Sequence, residues 1–353
     1  MIYLLLALLV IVMFSFCVKG FPYGFNTPMQ VVDSIRTWIR IEFAELTDGS
    51  GLSMNEKLTG GMPYYGSVLE RIKMSAMTFI CGALMALSGS IFQTVFRNPM
   101  AAPTMLGVST GVNVGVLILV LQAGAQAYNM MDTKYVYCYT GAMVMLAIVL
   151  AVGKLSSGRN KMSVFDLLIV AAIISQVVGA VITFYTYGME NDEILVYQEI
   201  SGALEMDTSV RAFAVLGIMA LISIVPMLLM RFSFNAVAFE NDDSRSLGVN
   251  AYAMKIITMV LGTVMITAAM VHCGSAGMVS LIAPFISRAI FGAEFRKLFW
   301  GNLVVGGGIL LICKDVIGLI PFGEKGIPLG TIVDFVVLPI FVIIVASQRR
   351  VWE

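Results

Sequence analysis

The chain has 353 residues, 59% of them hydrophobic and 12% charged, with a formal net charge of zero. A soluble domain carries about twice that charged fraction, so recurrent uncharged runs of roughly 20 residues mark a polytopic membrane protein instead. With zero net charge, nothing in the composition suggests nucleic acid. The single histidine, His272, argues against a metal or haem centre built by this chain alone. Five cysteines (Cys17, Cys81, Cys138, Cys273, Cys313) lie in or beside apolar runs without a C-x-x-C pair, and are expected to be small buried hydrophobes rather than a disulfide framework.

Uncharged gaps fall at Met1–Val18, Met74–Phe96, Asn98–Met131, Tyr135–Gly153, Leu167–Met189, Ala212–Met230, Ile256–Ser287 and Leu298–Cys313. A last run, Gly326–Gln348, is broken only by Asp334. Two gaps exceed one crossing and must hold a helix plus a turn or part of another. The fold class expected is all-α, with about ten transmembrane helices, each satisfying its own backbone in lipid. The first run lacks a basic leading region and a small-x-small cleavage site, and is expected to be a retained span.

The polar stretch from Lys19 to Glu70 interrupts this pattern. Within it, Thr27-Pro28-Met29-Gln30 has the chemistry of a helix start, and Val32, Ile35, Trp38 and Ile39 recur at helical spacing. A short amphipathic helix on the outer surface is expected, either as an interfacial anchor or as a docking surface. Residues 46–65 are Gly-rich and polar, and are expected to be loop. With the N-terminus inside and ten crossings, the inner loops collect Arg97, Lys154, Arg159, Lys161, Arg231, Arg245, Arg288, Arg296, Lys297, Arg349 and Arg350, while the outer loops hold mainly acids. That asymmetry predicts cytoplasmic N- and C-termini.

Three segments stand out. In Ser88–Gly115, Asn98-Pro99 must stop or bend a helix, because proline has no N–H to donate and biases the preceding residue away from helix. The elbow is either a plain cytoplasmic turn or the lining of a cavity. Downstream, Gly107, Gly111 and Gly115 recur every four residues, a spacing that admits close helix approach; Ser109, Thr110 and Asn113 add polar groups beside them, as interhelical glue or pathway lining. Ala238–Val249 is the most charged segment of the second half, with Glu240, Asp242 and Asp243 ahead of Arg245 and with Gly248 as a helix stop. In Gly274–Arg288, Gly274 and Gly277 end one helix and a second begins at once with Pro284 inside it, the pattern of a re-entrant or short helix. Lys314, Asp315 and Asp334 are ionisable groups within or beside late spans; Asp334 is the acid placed deep, while Lys314 and Asp315 are expected near the outer interface. No G-x-x-x-x-G-K-[ST] occurs, so ATP binding of the P-loop kind would need another polypeptide.

Taken in order, Ser88–Gly115, Arg245-Ser246-Leu247-Gly248-Val249, Gly274–Arg288 and Pro328-Leu329-Gly330 followed by Pro339 resemble the permease subunits of ABC importers for iron-siderophore, haem and cobalamin complexes, from about Leu69 to the C-terminus. The resemblance implies ten transmembrane helices per subunit with an inverted repeat, a pathway between two copies of the subunit, two ATPases below, carrying ATP and Mg, and a substrate-binding protein above, in the bacterial cytoplasmic membrane. The chain itself would hold no cofactor and catalyse no reaction. It divides into a first transmembrane helix (1–18), an extracytoplasmic loop with the amphipathic helix (19–70) and a permease core (71–353). Residue by residue, Asn98, Pro99 and Met100 match one part of the cytoplasmic gate, and Met162–Asp166, with Val164 and Phe165, the other. Asp242, Asp243, Arg245, Ser246, Leu247 and Gly248 match the coupling helix that meets the ATPase. Arg71 matches a cation offered to the binding protein, with Lys325 as a weaker second. Apart from the resemblance, Gly107, Ser109, Gly111, Asn113, Gly115 and Pro284 are expected to be helix-packing or pathway residues. The chain departs from the family pattern at Phe285, where histidine is usual, and at Leu319, where arginine is usual. Val164-Phe165 is more apolar than usual, and the polar region before Arg71 is longer. A ferric siderophore is the expected cargo, with haem or cobalamin as alternatives and an ion-coupled secondary carrier as the rival class. Asp334 would be essential to the carrier and dispensable to the permease.

Overall fold

The computed structural model describes residues 10–12, 14–15, 36, 65–156, 164–202, 206–237, 248–319 and 328–348. Among them no strand occurs. The first run is helical at Val10–Val12 and Phe14–Ser15; the rest of it, and the expected amphipathic helix apart from Arg36, lie outside the described residues. The remaining elements are α1 (Tyr65–Phe96), α2 (Val108–Ala123), α3 (Met131–Ser156), α4 (Val164–Tyr187), α5 (Asn191–Gly202), α6 (Val210–Leu229), α7 (Arg231–Val237), α8 (Ala251–Cys273), α9 (Val279–Phe291), α10 (Phe295–Leu319) and α11 (Leu329–Gln348). Seven of these, α1, α2, α3, α4, α6, α8 and α10, are long and apolar enough to cross a membrane, and α9 and the apolar part of α11 are shorter.

The two over-long gaps resolve as their glycines and prolines dictate. Between Asn98 and Met131 come a bend, a 3₁₀ turn at Pro103–Leu106, α2 and a second 3₁₀ stretch at Gly124–Met130. Between Ile256 and Ser287, α8 ends on Gly274, whose φ of 72° only glycine adopts freely, and α9 follows with Pro284 inside it.

The core is built around α1 and α8, both mostly buried. Helices approach closely where neither side has a side chain to separate them. At the α1–α10 crossing, Gly82 and Gly306 face each other, and a Cβ on either would fall on the other's carbonyl oxygen. At the α2–α3 crossing, a Cβ on Gly111 would lie 2.7 Å from the Gly141 carbonyl oxygen and one on Gly115 would fall on that of Tyr137. In lipid, such dispersion contacts replace the hydrophobic drive that water provides. Helices α4 and α6, by contrast, are largely exposed in the single chain, with apolar residues such as Ile173, Val177, Phe184, Leu221 and Leu229 facing outward.

Two differences from the sequence expectation concern charge. Helix α1 begins at Tyr65, nine residues before its uncharged run, and absorbs Glu70, Arg71 and Lys73. Glu70 is held by Lys73 at 2.9 Å on the same helix and by the Thr208 hydroxyl at 2.7 Å, so the helix continues through its charges. Lys314 and Asp315 do not reach an open interface. Asp315 is 3% exposed, and its Oδ1 accepts from the Ser15 hydroxyl at 2.8 Å. Lys314 donates to Ser75 at 2.7 Å and Ser15 at 3.1 Å, and stands 3.7 Å from Asp315. Hydroxyl bonds to Lys314 and to one oxygen of Asp315 help such an ion pair stay inside.

Candidate functional site

The elbow is assembled at the end of α1. Arg97 is in the left-handed region (φ 49°), alone among the described non-glycine residues, a conformation that costs a residue with a Cβ about 1–2 kcal/mol. Its N–H turns back to the Thr94 carbonyl at 3.4 Å, and that of Asn98 to the Gln93 carbonyl at 3.3 Å. Asn98 then folds the chain over. Its Oδ1 accepts the Met100 N–H at 2.9 Å and its carbonyl accepts the Ala101 N–H at 3.0 Å, the local bonding that suits Asn to turns. Pro99 requires no partner for a missing N–H, and Met100 projects outward, 43% exposed. Gly107 closes the following 3₁₀ turn at φ 74°; a Cβ there would strike the Ser175 hydroxyl of α4.

Pro284 organises the short helix beside the elbow. A proline removes the hydrogen bond to the carbonyl four residues earlier, here that of Ser280. That carbonyl faces Gly89 of α1, where any Cβ would collide with it. One turn further along α1, Gln93 Nε2 donates to the Leu281 carbonyl at 2.9 Å. Arg288 Nη2 donates to the Thr94 hydroxyl at 2.8 Å and the Ser90 carbonyl at 3.2 Å. The last turns of α1 are thus bonded to α9 by three side chains. The turn before α9 meets two further elements. A Cβ on Gly277 would lie 2.7 Å from Thr104 Cγ2 in the 3₁₀ turn. One on Gly330, at the start of α11, would fall on the Ser275 carbonyl.

Helix α7 leads directly into residues 238–247, which lie outside the described residues and include Asp242, Asp243, Arg245, Ser246 and Leu247. Gly248, at φ 76°, resumes the described chain, and Asn250 caps α8 by accepting the Tyr252 and Ala253 N–H groups at 3.0 and 3.2 Å. Val164 and Phe165 open α4 and so belong to a helix rather than to a loop. Ser109 donates to Met270 Sδ of α8 at 3.7 Å, while Asn113 is half-buried on α2. Arg71 is half-buried too, with Nη1 enclosed and without a partner, an inward position for a residue expected to meet another protein. Lys325 lies outside the described residues.

A second polar cluster stands at the opposite end of the bundle. Lys134 and Tyr135 of α3 are buried, the Tyr135 hydroxyl donates to Asp207 Oδ2 at 3.3 Å, and His272 of α8, 2% exposed, packs against Tyr135 with the rings tilted by 42° and centroids 5.3 Å apart. Burial works to raise the Asp207 carboxyl, but hydrogen bonds from the Ser209 backbone and side chain, the Lys134 charge and the Tyr135 hydroxyl outweigh it, so its pKa lies below the ordinary carboxylate value. Nearby, Arg211 pairs with Asp132. Cys81, Cys138, Cys273 and Cys313 are all free and buried.

Residues 66–347 match the FecCD transport family. The chain belongs to that family. Its relatives include a protein named as a probable iron chelatin transport system permease of Helicobacter pylori, 26% identical over 286 residues, covering 80% of this chain and 83% of that one. The hemin transport system permease protein HmuU of Yersinia pestis is 24% identical, covering 79% and 83%. The vitamin B12 import system permease protein BtuC of Citrobacter koseri is 24% identical, covering 79% and 82%. A solved structure described as the inward-facing conformation of a metal-chelate type ABC transporter superposes with a TM-score of 0.67 at 18% identity, over 91% of this chain and 99% of that one. It shares the all-helical fold. As a family member the chain is a multi-pass membrane transport protein.

Proposed function

We propose that the chain is the permease subunit of an ATP-driven importer and moves an iron chelate of the ferric siderophore class across the bacterial cytoplasmic membrane. The observation that carries this is the family match across residues 66–347, which takes in the elbow, the α8–α9 turn and the segment before Gly248. The iron-chelatin relative favours an iron complex; the hemin and vitamin B12 relatives keep haem and cobalamin as the alternatives.

The proposed mechanism is alternating access with no bond made or broken by this chain. Two copies enclose the pathway, with the outward-facing apolar residues of α4 and α6 meeting either lipid or the other copy. Two ATPase subunits, which bind ATP and Mg, close beneath the coupling segment Asp242–Gly248. That movement is passed to the elbow Asn98–Met100 and to the start of α4 at Val164 and Phe165, which gate the inner end. A binding protein delivers the cargo from outside, towards Arg71 and Lys325. The pathway then needs no ligand cluster of its own, which agrees with the glycine, hydroxyl and apolar character of α2 and α8. The basic inner loops support cytoplasmic termini, with residues 1–18 as the first span, 19–70 outside and 71–353 as the core.

The test is reconstitution of this chain with its ATPase in vesicles enclosing ATP and Mg, with the loaded binding protein outside. Uptake of 55Fe carried as a ferric siderophore, abolished by omitting ATP, supports the reading. Uptake driven by a proton or sodium gradient without ATP overturns it.

A further inference from the structure

The guanidinium of Arg97 reaches across the inner end of the bundle and donates from Nε to the Val237 carbonyl at 3.0 Å. Those two residues are 140 positions apart in sequence. Val237 is the last residue of α7, fully buried, and the next residue begins the segment 238–248. Arg97 is also the residue that turns α1 into the elbow, in a backbone conformation that a side chain disfavours. A glycine would make the same turn without strain, so what distinguishes Arg97 at this position is the contact its side chain makes.

Helix α7 is itself fixed to the rest of the bundle. Phe234 stacks on Phe295 with centroids 5.3 Å apart and planes 3° from parallel. Asn235 Oδ1 accepts the Phe295 N–H at 3.1 Å, capping the start of α10. Val237 is therefore held in the bundle through α7.

We propose that Arg97 is a positioning residue that couples α7 to the elbow: displacement of Val237 is carried through the guanidinium to Asn98–Met100. The proposal rests on the importer reading above.

The test uses the complete permease–ATPase complex in inside-out vesicles, with Met100→Cys as a reporter on the exposed side of the elbow. The labelling rate by a membrane-impermeant maleimide is measured without nucleotide and after trapping with ATP, Mg and vanadate, against the same complex without Met100→Cys. In the Arg97 background the two rates differ. Arg97→Gly and Arg97→Asn both tolerate the positive φ but remove the reach to Val237. Each is expected to weaken the nucleotide-dependent difference by about tenfold, the equilibrium worth of one charge-assisted hydrogen bond. Arg97→Lys is expected to restore much of it. A purely structural role for Arg97 predicts the opposite for Arg97→Gly, since relieving the backbone leaves the elbow intact and the nucleotide response unchanged; that result overturns the proposal. A complex with Arg97 intact that assembles with the ATPase but gives no nucleotide response overturns both the proposal and the importer reading.

Discussion

Asp315 has two carboxylate oxygens, and only Oδ1 is bonded; Oδ2 is enclosed without a partner. Its charge is balanced by Lys314, which in turn depends on Ser15 and Ser75. Breaking a buried pair from one side leaves a lone charge inside, whereas removing both partners removes the problem. Asp315→Leu alone is expected to cost about 3–5 kcal/mol, read as loss of monodisperse protein on heating in detergent. Lys314→Met with Asp315→Leu should recover most of it. Glycines give a prediction of the same kind. At Gly89 a methyl group would collide with a backbone carbonyl, not with a yielding side chain. Gly89→Ala is expected to destabilise by about 1–3 kcal/mol, whereas Gly217→Ala, where a Cβ meets open space, should leave thermal stability unchanged or raise it. Which residues do this work was only partly legible beforehand. The four-residue recurrence of Gly107, Gly111 and Gly115 announced close packing because it repeats locally. The bonds of Gln93 to Leu281 and of Arg97 to Val237 join positions 188 and 140 apart, and nothing in either local stretch encodes its partner.

Elements were easiest to read where lipid imposes a length. The breaks at Asn98-Pro99 and Gly274 followed from backbone chemistry alone, and the structure has them as expected. Starts and ends were harder to place. The uncharged run starts only at Met74, but Lys73 and Thr208 both hold Glu70 and α1 reaches back to Tyr65. At α6 the start is set by Ser209, whose hydroxyl accepts the Ala212 N–H at 3.1 Å and whose own N–H donates to Asp207 at 2.9 Å. Ser209→Ala removes that cap and should cost about 1 kcal/mol in thermal stability. It also removes one of the bonds that hold the Asp207 carboxyl below its ordinary value of 3.8. A carboxyl depressed in the folded protein stabilises it above the unfolded pKa, and that contribution is lost as pH falls through the depressed value. The loss of stability on acidification should begin near the unfolded carboxyl pKa in both proteins, but be smaller and complete at a higher pH in Ser209→Ala than with Ser209 intact, measured as melting temperature against pH.

For the whole molecule, the sequence pattern conveyed the all-helical membrane class because a bilayer leaves few alternatives. It conveyed less about what the acids do. Asp334 is the deep acid on which an ion-coupled carrier would depend, and in the single chain it is exposed on the outer surface of α11 rather than enclosed among other helices. Asp334→Asn is accordingly expected to keep most ATP-dependent uptake in the reconstituted system; loss of uptake with unchanged assembly would favour the carrier. The account stands on this chain having an ATPase partner, since it carries no P-loop of its own. The most direct measurement is affinity purification from the native membrane in mild detergent, with partners identified and quantified by mass spectrometry. Recovery of a P-loop ATPase near one-to-one with this chain is the predicted result. Recovery of the chain alone, under conditions in which a known importer retains its ATPase, would contradict it.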